Sequence, residues 1–202
     1  MVDYGLGNVE AFLDVYHRLH IPASRLTEPS MFEQADRLIL PGVGSFDWAM
    51  QRLSESGMKD ALHQNIIIEK KPILGVCVGM QMMANKSSEG ITPGLGWIDT
   101  EVYDFHSVVT DQEHPIPHMG WNNVAPYVES GLFAGLDSGD RFYFLHSFYF
   151  ESNAKECLAT TNYGITFGCS VRQANAYGVQ FHPEKSHKSG LQLLKNFAVE
   201  SL

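Results

Sequence analysis

The sequence predicts an α/β fold in which a mainly parallel sheet is flanked by helices and an antiparallel, strand-rich region is added to it. Three observations predict this. Two short apolar runs, Arg37–Leu40 and Pro72–Val76, each lead through a glycine-containing turn into residues with helical spacing. Past Gly90 the pattern changes to short strands joined by Gly, Asn and Asp turns. A last helical period closes the chain, and βα units followed by clustered strands describe a layered α/β sandwich.

Each element has its own signal. Val9, Phe12, Leu13, Tyr16 and Leu19 lie on one helical face, with Asn8 as N-cap and Pro22 as the stop. Arg37–Leu40 is a buried strand ended by Pro41-Gly42. Phe46, Ala49, Met50 and Leu53 give one helix, and Met58, Ala61, Leu62 and Ile66 another. Pro72–Val76 is the second buried strand. Trp97–Phe105, Arg141–Phe150, Glu156–Thr161, Thr166–Val171 and Ala176–Phe181 read as strands, with Asn162-Tyr163-Gly164 as one of the turns. Leu191, Leu194, Phe197 and Ala198 form the closing helix. No repeat or linker interrupts the 202 residues, so 1–202 reads as one domain.

Composition narrows the function classes. Hydrophobic residues make up 44% and charged residues 18%, a globular balance. A net charge of −9 without basic clusters argues against nucleic acid or an anionic membrane as partner. No apolar run has the length of a membrane span, and Met1-Val2-Asp3-Tyr4-Gly5 lacks a signal core, so the cytoplasm is the expected location. Cys77, Cys157 and Cys169 are too few and too scattered for a disulfide scaffold or a thiolate zinc site.

The chemistry gathers at Gly75-Val76-Cys77-Val78-Gly79. A strand precedes it and the helix formers Met80 to Ala84 follow, the pattern of a strand–turn–helix elbow with cysteine as nucleophile. The glycines are required because side chains two positions either side would collide with neighbouring elements. The helix N-terminus is expected to favour the thiolate. Cys157 and Cys169 have no such setting and read as packing residues. A cysteine nucleophile needs a base, and His182 is the sharpest candidate among nine histidines. It lies just past a strand in Gly178-Val179-Gln180-Phe181-His182-Pro183-Glu184, where Glu184 can orient the imidazole. Gly42, Val43 and Gly44 follow the other strand and can turn backbone N–H groups toward a substrate oxygen. His146, inside an apolar strand, reads as a hydrogen-bonded structural residue. His114 and His118 have the spacing of a metal pair on a helix, but Pro115 and Pro117 exclude a helix, and no metal or other cofactor is expected.

Taken together these motifs resemble the class I (triad-type) glutamine amidotransferases, a flavodoxin-like family. Pro41 to Phe46, Gly75 to Gln81, His118-Met119-Gly120-Trp121-Asn122, Tyr143 to Ser147 and Gly178 to Ser186 are similar to one branch, the glutaminase subunits of imidazole glycerol phosphate synthase. The resemblance spans essentially the whole chain, and the His118–Asn122 segment separates this branch from the others. It implies Cys77, His182 and Glu184 as the triad, and Gly42, Val43, Gly44 and the Val78 amide as the oxyanion site. It further implies Gln81, Tyr143, His146 and Ser147 around glutamine, with Trp121 and Asn122 facing a (β/α)8-barrel cyclase in a heterodimer. Two departures stand out: the first strand ahead of Asp3-Tyr4-Gly5 is nearly absent, as a trimmed start would give, and Phe148 replaces a tyrosine common in the family. The motifs leave open a paralogue that supplies ammonia to a surface-sugar modifying synthase.

Overall fold

The computed structural model describes residues 1–128 and 131–199. Its centre is a parallel ladder. Strand β1 (Leu38–Gly42) pairs with β2 (Ile73–Cys77), and β2 pairs on its other side with β11 (Ala176–Val179), both in parallel. Every residue of these three strands is buried, as expected for parallel strands covered on both faces. Between β2 and β11 in sequence come β3 (Lys86–Ser87), β4 (Glu101–Asp104), β5 (His118–Asn123), β6 (Ala125–Pro126), β7 (Arg141–His146), β8 (Phe148–Glu151), β9 (Cys157–Tyr163) and β10 (Ile165–Gln173). Strands β10, β8, β4 and β3 continue the sheet from β11, with β9 beside β10 and β6 beside β9, mostly by antiparallel pairing. β5 and β7 form a separate two-stranded ribbon.

Helix α1 (Val9–Arg18) buries Val9, Phe12, Val15 and Tyr16, and the Asn8 side chain accepts from the Ala11 amide as the cap. It ends before Pro22 because His20 adopts a left-handed φ of 56°. Helix α2 (Phe46–Glu55) buries the four residues its spacing marked. α3 (Lys59–His63) runs on through a π-turn at Gln64–Ile68, and α4 (Val78–Met82) follows β2 directly. α5 (His187–Val199) returns over the sheet, where the Tyr16 hydroxyl donates to the Leu194 carbonyl at 3.0 Å and ties α1 to it.

Three elements differ from the sequence reading. β1 does not end at Pro41 but runs through Gly42, keeping register with Val76 and Cys77. Pro41 lacks an N–H, and a strand at the end of the sheet path tolerates that loss. The stretch Arg141–Phe150 is two strands in two sheets, broken at Ser147. Trp97 to Thr100 is irregular, because the amides of Trp97 and Ile98 both bond the Met83 carbonyl at the end of α4 rather than a strand partner. The entering segment makes a single parallel bridge, Val2 with Leu26, while the Val2 amide bonds the Ile39 carbonyl of β1.

Candidate active site

Cys77 is the last residue of β2 and the cap of α4, with φ 55° and ψ −116°. That left-handed turn is strained for a residue with a side chain, and it lifts the sulfur out of the strand. The surrounding glycines explain how the turn closes. A Cβ on Gly79 would lie 1.9 Å from the Leu40 carbonyl oxygen, and one on Gly75 would lie 2.7 Å from the Gly79 oxygen. A Cβ on Gly42 would meet the Gly79 nitrogen at 2.3 Å, so β1, β2 and the elbow touch backbone to backbone. α4 has only five residues, so the expected contribution of a helix dipole is small beside the imidazole that faces the sulfur.

His182 follows β11. Its amide donates to the Tyr143 carbonyl at 2.8 Å, and its carbonyl accepts from the Ser186 hydroxyl at 2.6 Å. Its Nδ1 lies 2.9 Å from Glu184 Oε1, with both side chains almost wholly buried. A carboxylate on Nδ1 fixes the proton there and leaves Nε2 for chemistry. Glu184 Oε2 is buried without a hydrogen-bond partner among the described residues, so no donor competes with His182 for this carboxylate. Burial, the largest single influence on His182, disfavours its charged form. The Cys77 sulfur and the Glu184 carboxylate together outweigh it and push the imidazole up to about 9.

Cys77 and His182 share a cleft of about 300 Å³. Val78, Val43 and Gly44 line it with them, together with Gln81, His146 and Ser147. Gly44 has a φ of +84° between β1 and α2. Tyr143 is not among the lining residues: its backbone holds His182, while its ring lies 6.0 Å from that of Trp121. Trp121 and Asn122 sit on the β5–β7 ribbon outside the cleft, Trp121 stacked on the His187 ring at 5.0 Å.

The sequence reading passed over several residues of the site. Gln180 is fully buried, donates to the Cys77 sulfur at 3.6 Å and accepts from Gln81 Nε2 at 2.9 Å. Its signal was a lone amide within the apolar run Gly178 to Phe181. Among the described residues lining the cleft, Glu89 supplies a carboxylate and Lys185 an ammonium, with Pro117, Leu145 and Phe148 completing the wall. Burial raises the Glu89 pKa; the Phe46 amide opposes this with a 2.8 Å bond, while Asp47 and Asp104 add to it. Nothing in the irregular segment around Glu89 marks it in sequence. Among the described residues no group of three His, Cys, Asp or Glu gathers as a metal site, and no helix is long and apolar enough to cross a membrane.

An elbow cysteine and a carboxylate-oriented histidine in one cleft on an α/β sheet have the arrangement of a thiol-dependent hydrolase. The family model for class-I glutamine amidotransferases matches residues 5–201, and the chain belongs to that family. Within it, the chain is 54% identical over 199 residues to the imidazole glycerol phosphate synthase subunit HisH of Bdellovibrio bacteriovorus, covering 98% of each. It is 44% identical over 198 residues to subunit HisH 2 of Pseudomonas aeruginosa, covering 98% of this chain and 96% of that one. Among solved structures, a crystal structure of a glutamine amidotransferase superposes with a TM-score of 0.74 at 20% identity, covering 98% of both chains. The glutaminase domain of Trypanosoma brucei CTPS, with bound acivicin, superposes with a TM-score of 0.63 at 17% identity, covering 94% of this chain and 85% of that one. These two likenesses carry the fold.

Proposed function

We propose that the chain is the glutaminase subunit of imidazole glycerol phosphate synthase, acting in the cytoplasm on glutamine and passing ammonia to a (β/α)8-barrel cyclase in a heterodimer. The observation that carries the catalytic part is the convergence of Cys77, His182, Val43, Gly44 and Val78 on one cleft, with Glu184 bonded to the His182 imidazole. The HisH relatives, matched over nearly their whole length, support the assignment to the synthase.

The geometry supports the following sequence. Glutamine enters with its ammonium toward Glu89 and its side-chain amide toward Cys77. The thiolate attacks the amide carbon, and the oxyanion is held by backbone N–H groups of Val78 and the Gly42–Gly44 segment, each worth about 3 kcal/mol. The carbon–nitrogen bond breaks as His182, an imidazolium at neutral pH, gives its Nε2 proton to the leaving nitrogen. Neutral His182 then takes a proton from water, which cleaves the thioester to glutamate and restores the thiolate–imidazolium pair. Gln180 fixes the sulfur's position, and Gln81 fixes Gln180. Ammonia free in neutral water becomes ammonium, which is not nucleophilic, so a partner that receives it in a closed passage is part of the function. Gly44 is where a peptide flip costs least, which makes the Gly42–Gly44 segment the switch for activation by the partner.

The test is glutamate release by the chain alone and mixed with barrel cyclase subunits, beside growth without histidine after deletion of the gene. Strong activation on mixing and a histidine requirement are expected. Equal turnover with and without the cyclase removes the switch, and growth without histidine removes the pathway.

A further inference from the structure

Two buried histidines take no part in the chemistry above, yet they join the pocket wall to the ribbon's outer strand. His146 Nδ1 lies 2.8 Å from the Phe148 carbonyl, so it carries a proton and donates. Its Nε2 is therefore an acceptor, and the group 3.0 Å from it is His118 Nδ1, which must be the donor. His118 Nε2 in turn accepts from the Asn122 side-chain amide at 3.4 Å, and that amide also donates to the Asn162 carbonyl at 2.7 Å. One run of donors thus leads inward from Asn122 through His118 and His146 to the Phe148 carbonyl. Only this pair of Nδ1–H tautomers satisfies every contact.

The run is mechanically stiff. His118 is sandwiched between Phe144, at 4.7 Å, and Tyr163, at 4.0 Å, with ring planes within about 22° of parallel. His146 packs against Phe105 and Phe167. Burial, with a minor contribution from the charge of His114, lowers His118 to about 4. Burial, then His118, lowers His146 to about 3, so both rings are neutral at physiological pH.

Its inner end is the corner where the chain leaves the β5–β7 ribbon for the main sheet. There His146, Ser147 and Phe148 all line the cleft. No glycine or proline shapes this corner; the His146 ring closes it by bonding the carbonyl two residues on.

We propose that His118 is a positioning residue for glutamine recognition: its Nδ1–H fixes His146 and thereby the Ser147–Phe148 wall. This rests on the glutaminase reading. His118→Phe keeps the ring sandwich and removes the donor. His118→Asn places an amide nitrogen where Nδ1 stood. In the assembled synthase, His118→Phe should raise KM for glutamine about tenfold with kcat within about twofold. His118→Asn should return KM to within about threefold of wild type. Alkylation of Cys77 by iodoacetamide, too small to need the wall, should proceed equally in all three proteins.

An unchanged KM in His118→Phe overturns the proposal. So does a parallel loss of kcat and alkylation in both variants, because that marks collapse of the core. Imidazole nitrogen NMR of the wild type gives an independent reading: a proton on Nε2 of His146 overturns the proposal even if both variants fail to fold. Absence of glutaminase activity in the wild-type synthase would instead sink the functional reading, and the tautomer result stands apart from it.

Discussion

At the scale of single residues the site is a problem of where two protons sit. His182 holds one on Nδ1 against Glu184 and a second on Nε2 toward Cys77. Its pKa is raised from 6.5 to about 9, so its contribution to stability is complete below pH 6.5 and is lost as pH climbs through about 9. In the proposed mechanism the same proton is the one delivered to the leaving nitrogen. Thioester formation, measured by single-turnover ammonia release, should therefore fall as pH rises past about 9. Glu184→Gln removes one of the influences that raise the imidazole pKa, so that falling limb should move to lower pH. The rate itself should drop on the order of 10²-fold or more, as expected when the group that orients a catalytic histidine is lost. A limb that stays in place after Glu184→Gln would show that the carboxylate does not hold the charge of His182, and an unchanged rate would show that it does not orient the ring. Cys77→Ala should abolish glutamine hydrolysis while binding of the partner subunit persists, measured by co-purification. Both residues were legible in the sequence because their neighbours carry the geometry: glycines at 75 and 79, and a proline between His182 and Glu184. Glu89 and Gln180 were not, because a carboxylate in an irregular segment and an amide just past a strand gain meaning only from what the fold sets opposite them.

At the scale of elements the elbow is a steric device, and sterics are what a sequence records best. The close approach of β1 to the first turn of α4 leaves no room for a Cβ at Gly79, which would overlap the Leu40 carbonyl at 1.9 Å. Gly79→Ala should cost about 3 kcal/mol or more, since the obstacle is backbone and cannot rotate away. Gly57 is the control. It has a φ of +72° but open space around it, so Gly57→Ala should cost only about 1 kcal/mol, the conformational penalty alone. Thermal melts of the two variants separate the effects, and equal losses would mean that crowding at the elbow is not what the glycine relieves. Periodicity likewise marked α1 and α2, whose buried residues match the expected faces. It failed where tertiary contacts decide. The run Arg141–Phe150 alternates like one strand, yet breaks at Ser147 because the His146 ring captures the Phe148 carbonyl. Trp97 to Thr100 has strand composition, yet its amides turn to the end of α4.

At the scale of the whole molecule the cleft and the ribbon are one continuous surface. In the β5–β7 register Met119 stands opposite Leu145 and Trp121 opposite Tyr143, so these four side chains share a face. Met119 is 64% exposed, and Trp121 and Leu145 are 38% exposed each, an apolar face on a molecule whose net charge is −9. Leu145 also lines the cleft, and its carbonyl lies 3.8 Å from the Cys77 sulfur. A partner seated on this face would cover the mouth from which ammonia must leave, so docking and sealing are one event. Trp121 lies flat against His187, and under the proposed function it is the aromatic anchor of that interface. Trp121→Ala should weaken assembly with the cyclase by at least about 2 kcal/mol, roughly thirtyfold in Kd, read by titration calorimetry. In the isolated chain the same variant should leave iodoacetamide alkylation of Cys77 unchanged, because Trp121 lies outside the cleft and meets Tyr143 through its ring, whereas His182 is held by the Tyr143 carbonyl. Saturating cyclase should then restore full glutamate release, since the lost contact is one of binding and the cleft is intact. If saturation fails to restore it, Trp121 also transmits the activating change, and docking on this face and switching of the Gly42–Gly44 segment are a single step.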